Sequence, residues 1–269
     1  MALNLTLRKR LSNLNHGAGM NGLVTQCGMA AQAAGGGWVG GLSDRTDLLR
    51  EWLFVSSYDD TSGNAGNVGA ATTAQATLAT VGVSIDGAAT TAPVQISGIP
   101  AISTDCTVGW VYQQTATRNF GLARVIIGDE TNGGSVQGSG NTNGSNGTTL
   151  NSAVTTVEDG LSARGVALPP VVLNKWRHET LVLSGGSDRS GYYQGLFDGD
   201  INFLGAFGIG AGNIRLGVPG INSERYHSIN FGLVYIYDKV LTAPQIADLH
   251  SEIESIMLER GVASGDWQT

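Results

Sequence analysis

Two carboxylates can cleave a glycosidic bond when they face each other across it at about 5–9.5 Å, which on one strand means acids two or four residues apart. Asp198 and Asp200 have that spacing, but Asp198-Gly199 reads as a hairpin turn, so the two acids are expected to flank the turn instead of sharing a strand face. Asp129 and Glu130 are adjacent and point to opposite faces if extended. His16, His178, His227 and His250 are scattered, and none accompanies a Gly-x-Ser-x-Gly nucleophile signature. No catalytic residue is assigned, and the chain is expected not to be an enzyme.

A second chemistry is cation binding. Asp60-Thr61-Ser62-Gly63-Asn64, with Asn67 and Gly69 beyond it, is a turn-rich stretch in which Asp60, Asn64 and Asn67 offer oxygen ligands. Calcium takes about six to eight oxygens, so these three supply only part of a shell, and a loop rigidified by its own Asx-type hydrogen bonds is favoured. Calcium is the only cofactor in view. A third chemistry is sugar stacking, for which Tyr192, Tyr193 and Tyr226 are candidate rim residues, set against the ordinary place of tyrosine within a sheet.

The elements that must position these side chains are strands. The 269 residues include 40 glycines and only 14% charged residues, where about 25% is usual, which suits tight turns between short strands better than solvated helices. Strands are predicted at Gly82–Ile85, Pro93–Ile96, Thr107–Tyr112, Leu122–Ile127, Trp176–Leu183, Tyr192–Phe197, Ile214–Val218 and Phe231–Tyr237. Trp52 and Phe54 share one face and Leu53 and Val55 the other, as in a strand covered on both sides. From Thr131 to Thr149 almost no apolar side chain is present, so a long exposed loop or a mobile one is expected there.

One helix is predicted, at the C-terminus. Thr242-Ala243-Pro244-Gln245 has the Thr-x-x-Gln spacing of a helix start, and Ile246, Leu249, Ile253, Ile256 and Met257 fall on one face before Gly261. That face lasts about two heptads, short of the ~3–4 a coiled coil needs, so packing across a sheet is its expected use.

The N-terminus differs. Leu3, Leu5 and Leu7 alternate as in a strand, whereas Leu3, Leu7, Leu11 and Leu14 line one helical face, beside the basic cluster Arg8-Lys9-Arg10. With Gly35-Gly36-Gly37 and Gly40-Gly41 behind it, this stretch is either an attachment arm or an added edge strand.

Charge and hydropathy exclude other classes. A net charge of −7 repels a phosphate backbone, so nucleic acid is not an expected partner. No apolar run reaches the ~18 residues of a membrane span, and the stretch after Arg8-Lys9-Arg10 is too polar for a secretion signal, so the chain is expected to stay in the compartment where it is made. Cys27 and Cys106 are expected to remain free thiols in a reducing compartment.

In this order the elements resemble the laminin-G-like jelly rolls related to concanavalin A, over roughly Leu48 to Leu249. Trp52-Leu53-Phe54 is similar to that family's opening strand, and Asp60-Thr61-Ser62-Gly63-Asn64 to its Asp-x-Ser-Gly-Asn loop. Trp176-Arg177-His178 followed by Asp198-Gly199 resembles its Trp-x-His strand and hairpin, and Val234 to Thr242 with Ile246 its closing strand and helix. Members often carry acids at the start of the closing strand; here Phe231, Gly232 and Leu233 stand there, which weakens the case for calcium.

The resemblance implies an all-β, two-sheet antiparallel sandwich: an arm and Gly-rich linker over 1–42, a jelly roll over 43–241, and a helix and tail over 242–269. It also implies one of two roles. The preferred one is a virion structural protein of a bacteriophage, a head-decoration or tail component present in many copies or as a homo-oligomer, docked on other virion proteins through Leu3, Leu5, Leu7, Arg8, Arg10, Leu11 and Leu14. The alternative is a carbohydrate-binding adhesion module of a cell-surface or secreted protein, with a surface glycan as partner.

Overall fold

Among the described residues, period-two apolar patterning builds two antiparallel sheets, each of eight strands. The computed structural model describes residues 41–269 apart from 56, 64–69, 73–75, 86–93, 103, 118–122, 130–133, 140–141, 144–148, 158–163, 186, 203–206 and 218–226. The first sheet runs β14 (Leu196–Asn202), β13 (Asp188–Tyr193), β12 (Trp176–Ser184), β6 (Cys106–Thr117), β16 (His227–Tyr237), β4 (Gly82–Ile85) and β3 (Ala76–Ala79), with β1 (Leu48–Trp52) also paired to β16. The second runs β11 (Arg164–Val171), β10 (Thr149–Val157), β8 (Gly134–Ser139), β7 (Ala123–Asp129), β15 (Gly212–Leu216), β5 (Val94–Ile99) and β2 (Ala70–Thr72), with β9 (Thr142–Asn143) on β10. This is the expected all-β jelly-roll sandwich.

Alternation along each strand decides what lies between the sheets. Val108, Trp110 and Tyr112 of β6 and Val234 and Ile236 of β16 meet Ile96, Ile127, Ile214 and Leu216 of the facing sheet. The other face of the first sheet presents Val111, Val182, Leu233, Tyr235 and Tyr237 to helix α1 (Ala243–Glu259). The helix covers them with Ile246, Leu249, Ile253, Ile256 and Met257, the five residues its periodicity marks. Each such aliphatic side chain contributes about 1.5–3 kcal/mol when fully buried. Trp52 and Phe54 enter the inter-sheet core while Leu53 and Val55 join the cluster under α1, although β1 ends at Trp52 and Phe54 turns through a positive φ of 53°.

Both ends of α1 are tied down. Gln245 Oε1 accepts from the Thr242 backbone N–H at 2.9 Å, satisfying one donor of the first turn. At the other end buried Arg260 donates to Leu53 O at 3.1 Å and Gly232 O at 2.7 Å, and burial lowers its pKa to about 10. Leu42, assigned to the linker by sequence, is fully buried in the cluster under α1.

Three expectations need correction. The stretch Thr131–Thr149 is not one long loop, because it contains β8, β9 and the start of β10. Glycine here serves close packing: a Cβ on Gly138 would stand 2.8 Å from the Trp110 ring. Tyr192–Phe197 is not one strand ending at Asp198-Gly199; the chain turns at Gln194 (φ 49°) and Gly195 (φ 76°), between β13 and β14. Two successive positive φ values are what a tight hairpin demands, and they fall on a pair that lacks the Asp-Gly signature. Asp198 and Asp200 consequently lie within β14.

Candidate functional site

The Asp-x-Ser-Gly-Asn loop closes on β1. Asp60 Oδ1 accepts the backbone N–H groups of Glu51 at 3.0 Å and Ser62 at 2.8 Å, and its Oδ2 lies 3.3 Å from Arg50 Nε. Buried Glu51 does the same for the chain on the other side, accepting from Leu42 N at 2.6 Å, Arg45 at 2.9 Å and Thr61 Oγ1 at 2.7 Å. A cation at Asp60 would have to displace a guanidinium and two amides, so this carboxylate fits the Asx-bonded loop and not a calcium shell. Asn64 and Asn67 lie outside the described residues. Phe231, Gly232 and Leu233 lie midway along the interior strand β16. Among the described residues no group of three or more His, Cys, Asp or Glu side chains is placed to hold a metal ion.

The tyrosine pair splits across the sheet. Tyr193 turns toward the inter-sheet core, its ring 4.6 Å from the Arg177 guanidinium carbon, and Tyr192 turns under α1. They are 9% and 7% exposed, which leaves little ring face for a ligand. Tyr226 lies outside the described residues, as do Leu3, Leu5, Leu7, Arg8, Arg10, Leu11 and Leu14.

The exposed ring belongs to their neighbour. Phe197, in edge strand β14, is 55% exposed and rests edge-on against Tyr192, with ring centroids 5.6 Å apart at 73°. Its surroundings follow from the register. Gly199 faces inward, since a Cβ there would meet Val166 of the opposite sheet at 3.1 Å, and Ile201 packs on the inter-sheet core. Asp200 and Asn202 therefore point outward, and the shift in register between Gly191 and Tyr192 makes Asp198 a bulge beside Phe197. Asn202 Nδ2 donates to Asp188 Oδ1 across the hairpin. The outer side of the β13–β14 hairpin is thus an aromatic ring on a rigid backing, flanked by exposed carboxylates.

These acids do share a strand, contrary to the expectation from the Asp-Gly pair. Both are exposed on an edge strand, Asp198 at the bulge and Asp200 on the outer face.

The structure also joins two histidines that the sequence leaves apart. His178 of β12 and His250 of α1 stack with ring centroids 5.3 Å apart and Nδ1 atoms at 3.2 Å. Sequence spacing carries no sign of this, because the contact exists only once α1 is laid across the sheet. His16 lies outside the described residues.

Cys106 is a free buried thiol in β6, pushed up to about 12 by burial and by Asp238 and Asp105, while Cys27 lies outside the described residues. No helix among the described residues is long and apolar enough to cross a membrane.

No protein-family model matches the sequence, and no curated protein matches it. Solved structures do match the fold. The binding domain of a Paraclostridial mosquitocidal protein superposes with a TM-score of 0.58 at 14% identity, covering 77% of this chain and 52% of that one. The botulinum neurotoxin serotype D binding domain gives 0.56 at 11% identity, covering 78% and 51%. A structure of botulinum neurotoxin type C, whose cell entry depends on interaction with two ganglioside molecules, gives 0.57 at 12% identity, covering 77% and 51%. The chain thus spans about half the length of these toxin domains. At such identities the likeness establishes the jelly-roll fold alone.

Proposed function

We propose that this chain is a non-catalytic carbohydrate-recognition module whose contact surface is the outer side of the β13–β14 hairpin. The observation that carries the reading is Phe197, a half-exposed ring held on a rigid strand with Asp198 and Asp200 beside it. A ring offers its face to the apolar side of a sugar, and carboxylates accept hydrogen bonds from the hydroxyls around it. The ganglioside dependence of the type C neurotoxin, a fold neighbour, supports this class of ligand. The charge refines it: exposed acids on a chain of net charge −7 favour neutral sugars over sialylated ones.

The test is a glycan array of neutral and sialylated oligosaccharides, read with the whole chain and with Phe197→Ala. A neutral-glycan signal that weakens about tenfold in the variant fits loss of one stacking contact of roughly 1.4 kcal/mol. A blank array, or a signal indifferent to Phe197, overturns the assignment.

A particle-borne setting is a second reading. In it the module is a multicopy surface protein of a bacteriophage virion, made in the host cytoplasm and docked through residues 1–42. Its support is the apolar stripe of Leu3, Leu7, Leu11 and Leu14 beside Arg8 and Arg10. Removing residues 2–34 should leave a folded chain that no longer joins its assembly. Normal assembly of the truncated chain rules this setting out.

A further inference from the structure

His178 is fully buried in the middle of the first sheet, on the side that α1 covers. Its Nε2 lies 2.8 Å from Tyr235 Oη and 3.0 Å from Thr180 Oγ1, and those two hydroxyls are 2.7 Å apart. Its Nδ1 faces His250 Nδ1 at 3.2 Å, and His250 Nε2 stands 3.6 Å from Glu254 Oε1 one helical turn on. A hydrogen-bonded chain therefore leads from His250 through His178 to a buried phenol, with half-exposed Glu254 standing beyond its outer end.

The network closes without any charge. Two Nδ1 atoms at hydrogen-bond distance share one hydrogen: one ring donates, the other accepts. His178 Nε2 is served by hydroxyls that can donate to it, so every group is satisfied with both rings neutral. A first added proton puts a cation in a desolvated site, and a second sets two Nδ1–H groups against each other.

The same pair holds the hairpin that presents Phe197. A Cβ on Gly195 would stand 2.7 Å from His250 Cβ and 3.2 Å from the Ala247 Cα, so the β13–β14 turn lies directly on α1. Gln194, in that turn, accepts from the His178 backbone N–H at 2.8 Å and donates to Gln268 O at 2.7 Å. Trp267 of the C-terminal tail closes the site edge-on against His250, with ring centroids 5.6 Å apart. Helix, sheet, hairpin turn and tail meet at these two rings.

We propose that the His178–His250 pair is an acid-sensitive latch: neutral, it holds α1 and the hairpin turn on the sheet, and on protonation it lets them go. The groups facing it come from every element packed there. β12 supplies His178 and Thr180, β16 supplies Tyr235, α1 supplies His250 and Glu254, the turn supplies Gln194, and the tail supplies the uncharged Trp267. Glu254 is the acid that could compensate a proton on His250. It gives poor cover, because at 3.6 Å it is long for an ion pair, its side chain is 47% exposed, and burial raises its own pKa, so that it tends to be neutral where His250 takes a proton. Burial holds His178 well below an ordinary histidine and brings His250 down to about 4.

For the carbohydrate surface, and resting on that reading, the consequence is acid-induced release: α1 backs the turn that positions Phe197, so a ligand bound near neutral pH is let go in an acidified compartment.

Hydrogen exchange of the full chain without ligand tests the latch. Corrected for intrinsic exchange rates, the protection of α1 amides should fall about tenfold between about pH 6.5 and about pH 5, roughly one decade per pK unit of unequal proton binding. Amides of β6 and β12 should fall less, and His250→Gln should reduce the difference, leaving the share that His178 contributes. An α1 that keeps its protection relative to β6, or a variant with the same loss as the wild type, overturns the proposal. Should the variant not fold, histidine ring resonances of the wild-type chain decide the matter. Shifts that move together with loss of α1 protection support the latch; titration near about 6.5 with α1 still protected overturns it. A blank glycan array leaves this experiment untouched, so the two readings fail separately.

Discussion

Arg177 and Glu179 form a 2.8 Å ion pair in which neither side chain is exposed, both lying between the two sheets on β12. Glu179 is saturated: it also accepts Trp110 Nε1 at 2.8 Å and Tyr112 Oη at 2.9 Å. Arg177 reaches across to Pro169 O at 3.0 Å and Pro170 O at 3.2 Å on the facing sheet. Such a pair survives burial because its lone pairs and protons have partners, and removing one member strands the other. Glu179→Ala is therefore expected to cost about 3–5 kcal/mol, read as a drop in the urea midpoint with an unchanged slope. A change within about 0.5 kcal/mol would mean that water enters and solvates Arg177.

Gly109 of β6 has a steric role. A Cβ there would stand 2.1 Å from the Tyr235 hydroxyl oxygen and 2.2 Å from the adjoining ring carbon, on a side chain that burial and bonds to Thr180 and His178 hold in place. Gly109→Ala should cost about 1–3 kcal/mol, as overpacking does, and should disturb the His178 ring as Tyr235 moves. Thermal melts monitored alongside histidine ring resonances check both parts; an unchanged melt shows that Tyr235 has another place to go.

The contrast between β6 and β8 shows how far the sequence is legible. Val108, Trp110 and Tyr112 declare β6 because a buried strand must carry large apolar residues at every second place. β8 reads as loop because Gly138 leaves room for the Trp110 ring of the other sheet, and a glycine kept for close packing looks locally like one kept for a turn. The helix is legible to the residue, since its apolar face and start signal are local. Phe197 is not, because its exposure depends on a turn at Gln194-Gly195 whose positive φ values the sequence does not announce. The His178–His250 contact, between residues 72 apart in the chain, has no local signal at all.

Cys106 supplies a test of core rigidity. Its thiol is fully buried and its pKa is pushed up to about 12 by desolvation and by Asp238 and Asp105, so almost no thiolate is present at ordinary pH. A maleimide applied to the folded chain near neutral pH should leave the peptide containing Cys106 unmodified, and denaturant should expose it to complete labelling, both read by mass mapping. Rapid labelling without denaturant would show that the sheet opens at β6.

Stability should fall with acid in a window set by the two histidines. A histidine whose folded pKa lies below its unfolded value of about 6.5 binds fewer protons folded than unfolded, so stability rises with pH between the two values. The His250 contribution is complete above about 6.5 and is lost as pH falls from there through about 4, and His178 adds in the same direction. At about 1.4 kcal/mol per pK unit, His250 alone accounts for a loss of roughly 3 kcal/mol across the window. Carboxylates add losses of their own lower in the range, so the informative quantity is a difference. Urea midpoints of wild type and His250→Gln, taken from about pH 7 down to about pH 5, should diverge with the wild type falling faster, because glutamine can hold the contact to His178 but takes no proton. Parallel pH profiles would place the acid sensitivity elsewhere, with Glu254 the next group to replace.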